Sequence, residues 1–341
     1  MMATGQRATR ITHSIEFGRD GRQTGFLRLP HSVHRSAYGH IPIPIMHLAN
    51  GDGPRVLLMA GNHGDEYEGQ IALLKLARTL RPEDISGRLT ILPAANFPAV
   101  RAGLRTSPID GGNLNRNFPG DPDGSPTEIM AHFIESELMA GADWVIDVHS
   151  GGSSLEYIPA VLTRATEDAE QLSAAKKALQ VFGAPIGFVM VWGEDRTSMA
   201  AARRQGAIGI TTELGGGGTV TPATLGLAER GVRRVLHHIG LLRDGDGAVP
   251  APEPTPTRMM EVRPEHYVYA SDAGLFEPLV ELGDRVEAGQ PVARIHFYDT
   301  PWREPETVDA AAGGVVICKR VPCLTERGDC LFHFGAESRD D

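Results

Sequence analysis

The stretch LLMAGNHGDEYEGQIALLKLA, residues 57–77, decides how the chain reads. An apolar run ends in glycine, a histidine and several acids crowd into the next positions, and apolar residues then recur at helical spacing. The pattern is a strand, a turn and a helix, with His63, Asp65, Glu66 and Glu68 at the mouth of the strand. Charge placed there costs desolvation energy unless something pairs with it or uses it. Three readings stand open: a metal site, a solvated turn, or a helix start whose acids complement the helix dipole. An H-x-x-E pair alone does not decide among them, because such a pair is common by chance.

Outward from this unit the alternation recurs. PIPIMHLA and RVLLMAG read as strands joined by the turn NGDGP, GRLTILPAAN as a strand, PTEIMAHFIESELMA as a helix capped at Thr127 or just upstream, and ADWVIDVHSG as a buried strand. Helices follow in ATEDAEQLSAAKKALQVF and RTSMAAARRQG, then a strand in AIGITTELGGGG and a last helix in TPATLGLAERGVRRVLHHIGLL. Strands alternating with helices predict an α/β fold, a mainly parallel mixed sheet flanked by helices. Ligands bind such sheets beyond the C-terminal ends of the strands. Polar clusters sit at those ends, after LLMAG, after ILPAANFP, at DVHSGG and at TTELGG, and so converge on one rim.

RDGDGAVPAPEPTPT is rich in Gly, Pro and Asp and almost free of bulky apolar residues. It predicts a linker over 244–257, between a body at 1–243, which includes an N-terminal β segment at 1–45, and a smaller C-terminal β domain at 258–341. That tail carries a faint repeat: AGLFEPLVELGDRVEAGQPVARI returns as AAGGVVICKRVPCLTERGDCLFHFG. The repeat resembles the two halves of the barrel-sandwich fold of biotinyl and lipoyl domains. Such carriers need a lysine in the hairpin between the halves, and HFYDTPWREPETVDA has none. A structural or lid role is left for the tail.

The 341 residues are 41% hydrophobic and 22% charged, which is ordinary globular composition with a large core available. A formal charge of −10 argues against a nucleic-acid partner, which would want a basic face. MMATGQRATRITHSIEF holds no apolar core of signal-peptide length, and no segment approaches the roughly 18 apolar residues of a membrane span. The expectation is a cytoplasmic protein without a membrane partner. Cys318, Cys323 and Cys330 read as reduced thiols. With His333 they could in principle hold a structural zinc, but paired C-x-x-C knuckles are lacking.

His149 changes the reading of His63 and Glu66. It leaves a buried strand into a Gly-rich turn, and two His and one Glu from neighbouring strand ends make the ligand set of a catalytic zinc with a position left open. Asp147 lies on the same strand face as His149, where it either orients that imidazole or pairs elsewhere. In RTSPIDGGNLNRNFPG, Arg116 can hold a carboxylate through two parallel bonds, helped by the amide of Asn115, and Arg105 could stabilise an oxyanion; the alternative is a solvated loop. Glu213 ends an apolar strand and suits a general base, or else a cap or an arginine partner.

In this order H-x-x-E, R-x-S-P-x-D-x-x-N-L-N-R, D-x-H and T-x-E-L-G resemble the succinylglutamate desuccinylase/aspartoacylase family, which is related to the zinc carboxypeptidases. The resemblance spans roughly residues 45–240, and the β tail fits the family plan. It implies a zinc-dependent hydrolase acting on the amide of a small N-acyl amino acid, with one zinc per chain held by His63, Glu66 and His149. Glu213 matches the general acid/base, Arg105 (or Arg101, under a shifted loop alignment) the carbonyl-polarising arginine, and Asn115 with Arg116 the clamp on the substrate carboxylate. GNHGDEYEG, RAGLRTSPIDGGNLNRNFPG and GLFEPLVELGDRVEAGQP narrow the implied substrate to N-alpha-acetyl-L-2,4-diaminobutyrate of ectoine breakdown. Its amine would want an acidic partner, for which Glu68, Glu194 and Asp195 are candidates. Aspartoacylase, desuccinylase or carboxypeptidase activity, or ligand binding on a hydrolase scaffold, are the alternatives, and a homo-oligomer is the common default.

Overall fold

The computed structural model describes residues 8–243 and 256–337, so most of the expected linker lies outside the described residues. The body begins with β1 (Gly21–Pro30), β2 (His40–Asn50), β3 (Arg55–Ala60), α1 (Tyr67–Thr79), β4 (Gly87–Leu92) and α2 (Phe97–Ala102). It continues through α3 (Pro126–Phe133), β5 (Trp144–Val148), β6 (Leu155–Tyr157), β7 (Ala160–Arg164), α4 (Ala169–Phe182) and β8 (Ile186–Met190). α5 (Ser198–Arg204), β9 (Ile208–Glu213) and α6 (Pro222–His238) complete it. The tail adds β10 (Arg258–Glu261), β11 (Tyr267–Tyr269), β12 (Gly274–Pro278), β13 (Arg285–Val286) and β14 (Pro291–His296). β15 (Glu306–Asp309), β16 (Gly314–Arg320), β17 (Leu324–Thr325) and β18 (Cys330–Glu337) follow.

The architecture is α/β: one large mixed sheet in the order β1-β2-β4-β3-β5-β9-β7-β8-β10-β18-β16-β13, and a second, antiparallel sheet β15-β14-β12-β17. β4, β3, β5 and β9 run parallel at its centre, as do β7, β8 and β10, while β7 lies antiparallel to β9. PIPIMHLA and RVLLMAG are consecutive in sequence but not neighbours, because β4 lies between β2 and β3. The N-terminal segment supplies β1, an edge strand paired along its whole length with β2.

The central strands are mainly apolar because both faces are covered. Val56, Leu58, Ile146 and Val148 face one core with helices α1, α4 and α6, while Leu57, Met59 and Val145 face another with α3 and α5. A third cluster fills the tail, and a fourth joins Ile186 and Phe188 of the body to Met260, Val315 and Ile317 of the tail. The helix read through PTEIMAHFIESELMA is α-helical only to Phe133 and becomes a π-helical turn over Ile134–Met139. Its cap is Ser125, one position upstream of the helix: Ser125 Oγ accepts from the Glu128 amide, and Glu128 returns the bond.

The β3–α1 turn explains its two glycines differently. Gly61 sits at φ 68°, in the left-handed region that suits glycine. Gly64 is needed for space instead: a Cβ there would lie 2.1 Å from the backbone carbonyl of Ala99 at the heart of α2. The close approach is sealed by the Gly64 amide bonding to the carbonyl of Leu104, 2.8 Å away.

Candidate metal centre and catalytic site

The parallel strand ends bring together what the sequence keeps apart. His63 and Glu66 follow β3, His149 follows β5, and β3 and β5 are hydrogen-bonded neighbours. All three side chains are buried, and one ligand atom from each lies within 4.8 Å of the others. Glu66 is the N-cap residue of α1 yet makes no cap bond, because its carboxylate is turned onto the imidazoles. Oε1 lies 2.6 Å from His63 Nδ1 and Oε2 2.7 Å from His149 Nδ1, and the Ser150 amide donates to Oε2 at 3.2 Å.

The far nitrogens are also engaged. His63 Nε2 faces Asn113 Oδ1 at 3.1 Å and His149 Nε2 faces Asp147 Oδ2 at 2.8 Å. Both Nδ1 atoms therefore face the Glu66 carboxylate at one point, and in a tautomer that donates through Nε2 they present lone pairs there. Such a set could hold a metal ion. The outer acceptors are also the kind that fix the tautomer and orientation of metal-bound histidines. The donor set, two nitrogens and a carboxylate, suits zinc with a position left open.

The charges respond to one another in this closed space. Burial opposes the ionisation of Glu66, but His63 and His149 outweigh it and hold the carboxyl well below the usual range. Burial likewise works against a charged His149, yet Asp147 and Glu66 push its pKa well above that of a free imidazole. For His63 burial wins over Glu66 and the pKa falls. Glu213, at the end of β9, is driven up to about 8 by burial and then by the Glu66 carboxylate, with His149 and Arg105 pulling the other way.

Arg105 reaches the same point: its Nη1 stands 3.3 Å from His63 Nδ1 and 3.6 Å from Glu66 Oε1. Arg101 does not. It is exposed, lies over the Phe97 ring, and lines a separate concavity of about 330 Å³ between α2 and the β1–β2 connection. Asn113, Asn115 and Arg116 share a single 3₁₀ turn and its cap. Asn115 Oδ1 accepts from the amide of Ser198 at the start of α5, and Arg116 Nε meets Glu194 at 3.4 Å.

Asp147 is buried in β5 and orients His149, as one of its two readings expected. Its Oδ2 accepts from His149, from Asn62 at 3.0 Å and from Ser198 Oγ at 2.6 Å. Asp65 neither touches His63 nor caps a helix by its side chain: it accepts from the amide and hydroxyl of Ser153 and pins the loop after His149. Glu68 is buried and accepts from Thr224 Oγ1, and burial raises its pKa. Asn113, Asn62 and Ser198 went unread in the sequence. Asn113 could have been suspected as a neighbour of Asn115 in a short motif, but Asn62 and Ser198 carry no local signal.

Comparison with known proteins places the chain in a family. Residues 52–239 match the succinylglutamate desuccinylase/aspartoacylase catalytic domain. An N-alpha-acetyl-L-2,4-diaminobutyric acid deacetylase of Halomonas elongata is 43% identical over 328 residues, 96% of this chain and 95% of that protein. The product-bound structure of the ectoine utilization protein EutE (DoeB) from Ruegeria pomeroyi superposes with a TM-score of 0.90 at 39% identity, covering 97% of this chain and 99% of the other. A succinylglutamate desuccinylase from Silicibacter sp. TM1040 also gives 0.90, at 38% identity, covering 97% of this chain and 100% of its own. With its strand-end constellation and a catalytic-domain match over more than half its length, the chain belongs to the succinylglutamate desuccinylase/aspartoacylase family, hydrolases of amide bonds.

Proposed function

We propose that this chain is a zinc-dependent deacetylase that removes the acetyl group from N-alpha-acetyl-L-2,4-diaminobutyrate in ectoine degradation. The observation that carries the chemistry is the convergence of His63 Nδ1, His149 Nδ1 and the Glu66 carboxylate. The choice of substrate is supported by the Halomonas elongata deacetylase and the Ruegeria pomeroyi ectoine utilization protein. His63, Glu66 and His149 would hold the zinc, which when bound would supply Lewis acidity for polarising a carbonyl oxygen and acidifying water.

The rest of the work falls to the chain. Asn113 and Asp147 hold the imidazoles in register. Glu213 takes a proton from the attacking water and returns it to the leaving nitrogen, a role commonly worth about 10²–10⁴ in rate. Its raised proton affinity suits both halves of that cycle. Arg105 lies where it can donate to the oxygen on which negative charge develops. Arg116, with the free amide nitrogen of Asn115, receives the α-carboxylate.

Metal analysis combined with assays on N-acetyldiaminobutyrate, N-acetylaspartate, succinylglutamate and a peptide panel tests the reading. The succinylglutamate arm answers the Silicibacter relative. Glu213→Ala is expected to keep its zinc and lose turnover. Near-normal activity in that variant would remove Glu213 from the mechanism, and zinc without hydrolysis of any compound would leave a binding protein.

A further inference from the structure

Arg116 and Glu194 form an ion pair in which the two side chains are 43% and 63% exposed. They come from separate parts of the chain. Arg116 ends a 3₁₀ turn held to His63 through Asn113 and to α5 through Asn115. Glu194 lies in the connection between β8 and α5. The other acids considered for the substrate amine are committed elsewhere: Asp195 bonds Arg164 and Arg203, and Glu68 is buried against Thr224. Glu194 is the one of these three that faces the guanidinium assigned to the carboxylate, and its ion pair is of the exposed, readily exchanged kind.

We infer that Glu194 determines specificity by receiving the side-chain ammonium of the substrate, and that the substrate takes the place of the Arg116–Glu194 pair. This rests on the deacetylase reading above. The substrate carries a carboxylate and, beyond its α, β and γ carbons, an ammonium. It therefore brings one charge of each sign to the pair. Its carboxylate replaces Glu194 on Arg116, Glu194 turns to the ammonium, and no charge is left unpaired. N-acetylaspartate and succinylglutamate present a second carboxylate instead, so the same acid repels them. In the free protein Glu194 also competes with any incoming carboxylate for Arg116.

The competing role yields effects of opposite sign. In zinc-loaded Glu194→Gln, KM for N-acetyldiaminobutyrate is expected to rise about tenfold, the loss of one charge-assisted contact. KM for N-acetyl-2-aminobutyrate, the same molecule without the amine, is expected to fall because Arg116 is released. Glu194→Lys is expected to shift preference further, toward N-acetylaspartate. A merely structural lesion would move both KM values the same way, and that result, or two unmoved values, overturns the inference while leaving the deacetylase reading intact. A wild type that hydrolyses neither acetyl amino acid removes the deacetylase reading and this inference with it.

Discussion

Asp147→Asn tests the contribution of charge behind His149, one of the proposed metal ligands. Oδ2 of Asp147 takes all three donors, from Asn62, Ser198 and His149, while Oδ1 is buried without a partner among the described residues. An asparagine can therefore set its oxygen where Oδ2 stands and its NH₂ where no donor opposes it. Shape and the three bonds to the oxygen survive and the charge is lost. The NH₂ placed at the other position adds a folding cost that falls on stability rather than on the imidazole contact. A hydrogen bond to a charged acceptor contributes about 1.5–3 kcal/mol against about 0.5–1.5 for a neutral one. The difference, roughly 1–1.5 kcal/mol, corresponds to about tenfold in affinity. Zinc binding, measured by competition with a chelating dye at fixed pH, is expected to weaken by that factor. Asn113→Ala, which removes the neutral acceptor behind His63, is expected to cost severalfold at most on the same scale. Wild-type zinc affinity in Asp147→Asn, or a larger loss in Asn113→Ala, would refute the idea that the carboxylate tunes the ligand.

Gly64→Ala should destabilise by about 3 kcal/mol or more in urea unfolding, because its Cβ would meet main-chain atoms that cannot step aside; a loss under about 1 kcal/mol would show that α2 can shift. His333 is buried, stacked on Tyr267, with neither ring nitrogen hydrogen-bonded among the described residues, and burial followed by the charge of His266 lowers its pKa to about 3. The unfolded chain then binds the extra proton first, near pH 6.5, so stability is full above that value and declines as pH falls toward 3, by up to about 1.4 kcal/mol per unit. In His333→Phe this component should vanish, and stability–pH curves that stay parallel between the two proteins would contradict it.

What the sequence made legible were features whose signal is local. The β3–α1 unit, the pair of His63 and Glu66 three residues apart, and Asp147 two residues before His149 on one strand face each span only a few positions. The unread features depend on contacts between distant segments. Asn113 is 50 residues from His63, Ser198 is 51 from Asp147, and Ser153 is 88 from Asp65. Nothing around Asp65 indicates that its acceptor faces a loop behind the next strand. β6, β7 and β8 also went unread: they are short, lie close to Gly and Pro residues, and gain their stability from neighbours rather than from their own periodicity. The composition break after residue 243 suggests separation, yet β8 before it and β10 after it are paired strands of one sheet.

That pairing bears on the lysine-free tail. β6 comes soon after His149 and is hydrogen-bonded to β16 of the tail, with Tyr157 opposite Cys318. On its other side it meets the glycines that follow Glu213: Tyr157 and Gly151 both donate to the carbonyl of Gly215, and Gly217 donates to that of Leu155. Those glycines do more than turn the chain. A Cβ on Gly216 would fall 1.9 Å from the Leu155 oxygen, so close passage of two backbones requires the missing side chain. The strand ends that carry His149 and Glu213 are thus braced from the tail side. Tyr267 and Cys318 of the tail, with Tyr157, also feel the charge of Glu213, and each has its pKa raised by burial first. Burial is likewise the largest cause of the raised pKa of Glu213 itself. Tyr267 of β11 and Cys318 of β16 thus lie close enough to Glu213 for their charges to interact, and the tail is packed against the strand ends rather than set apart from them.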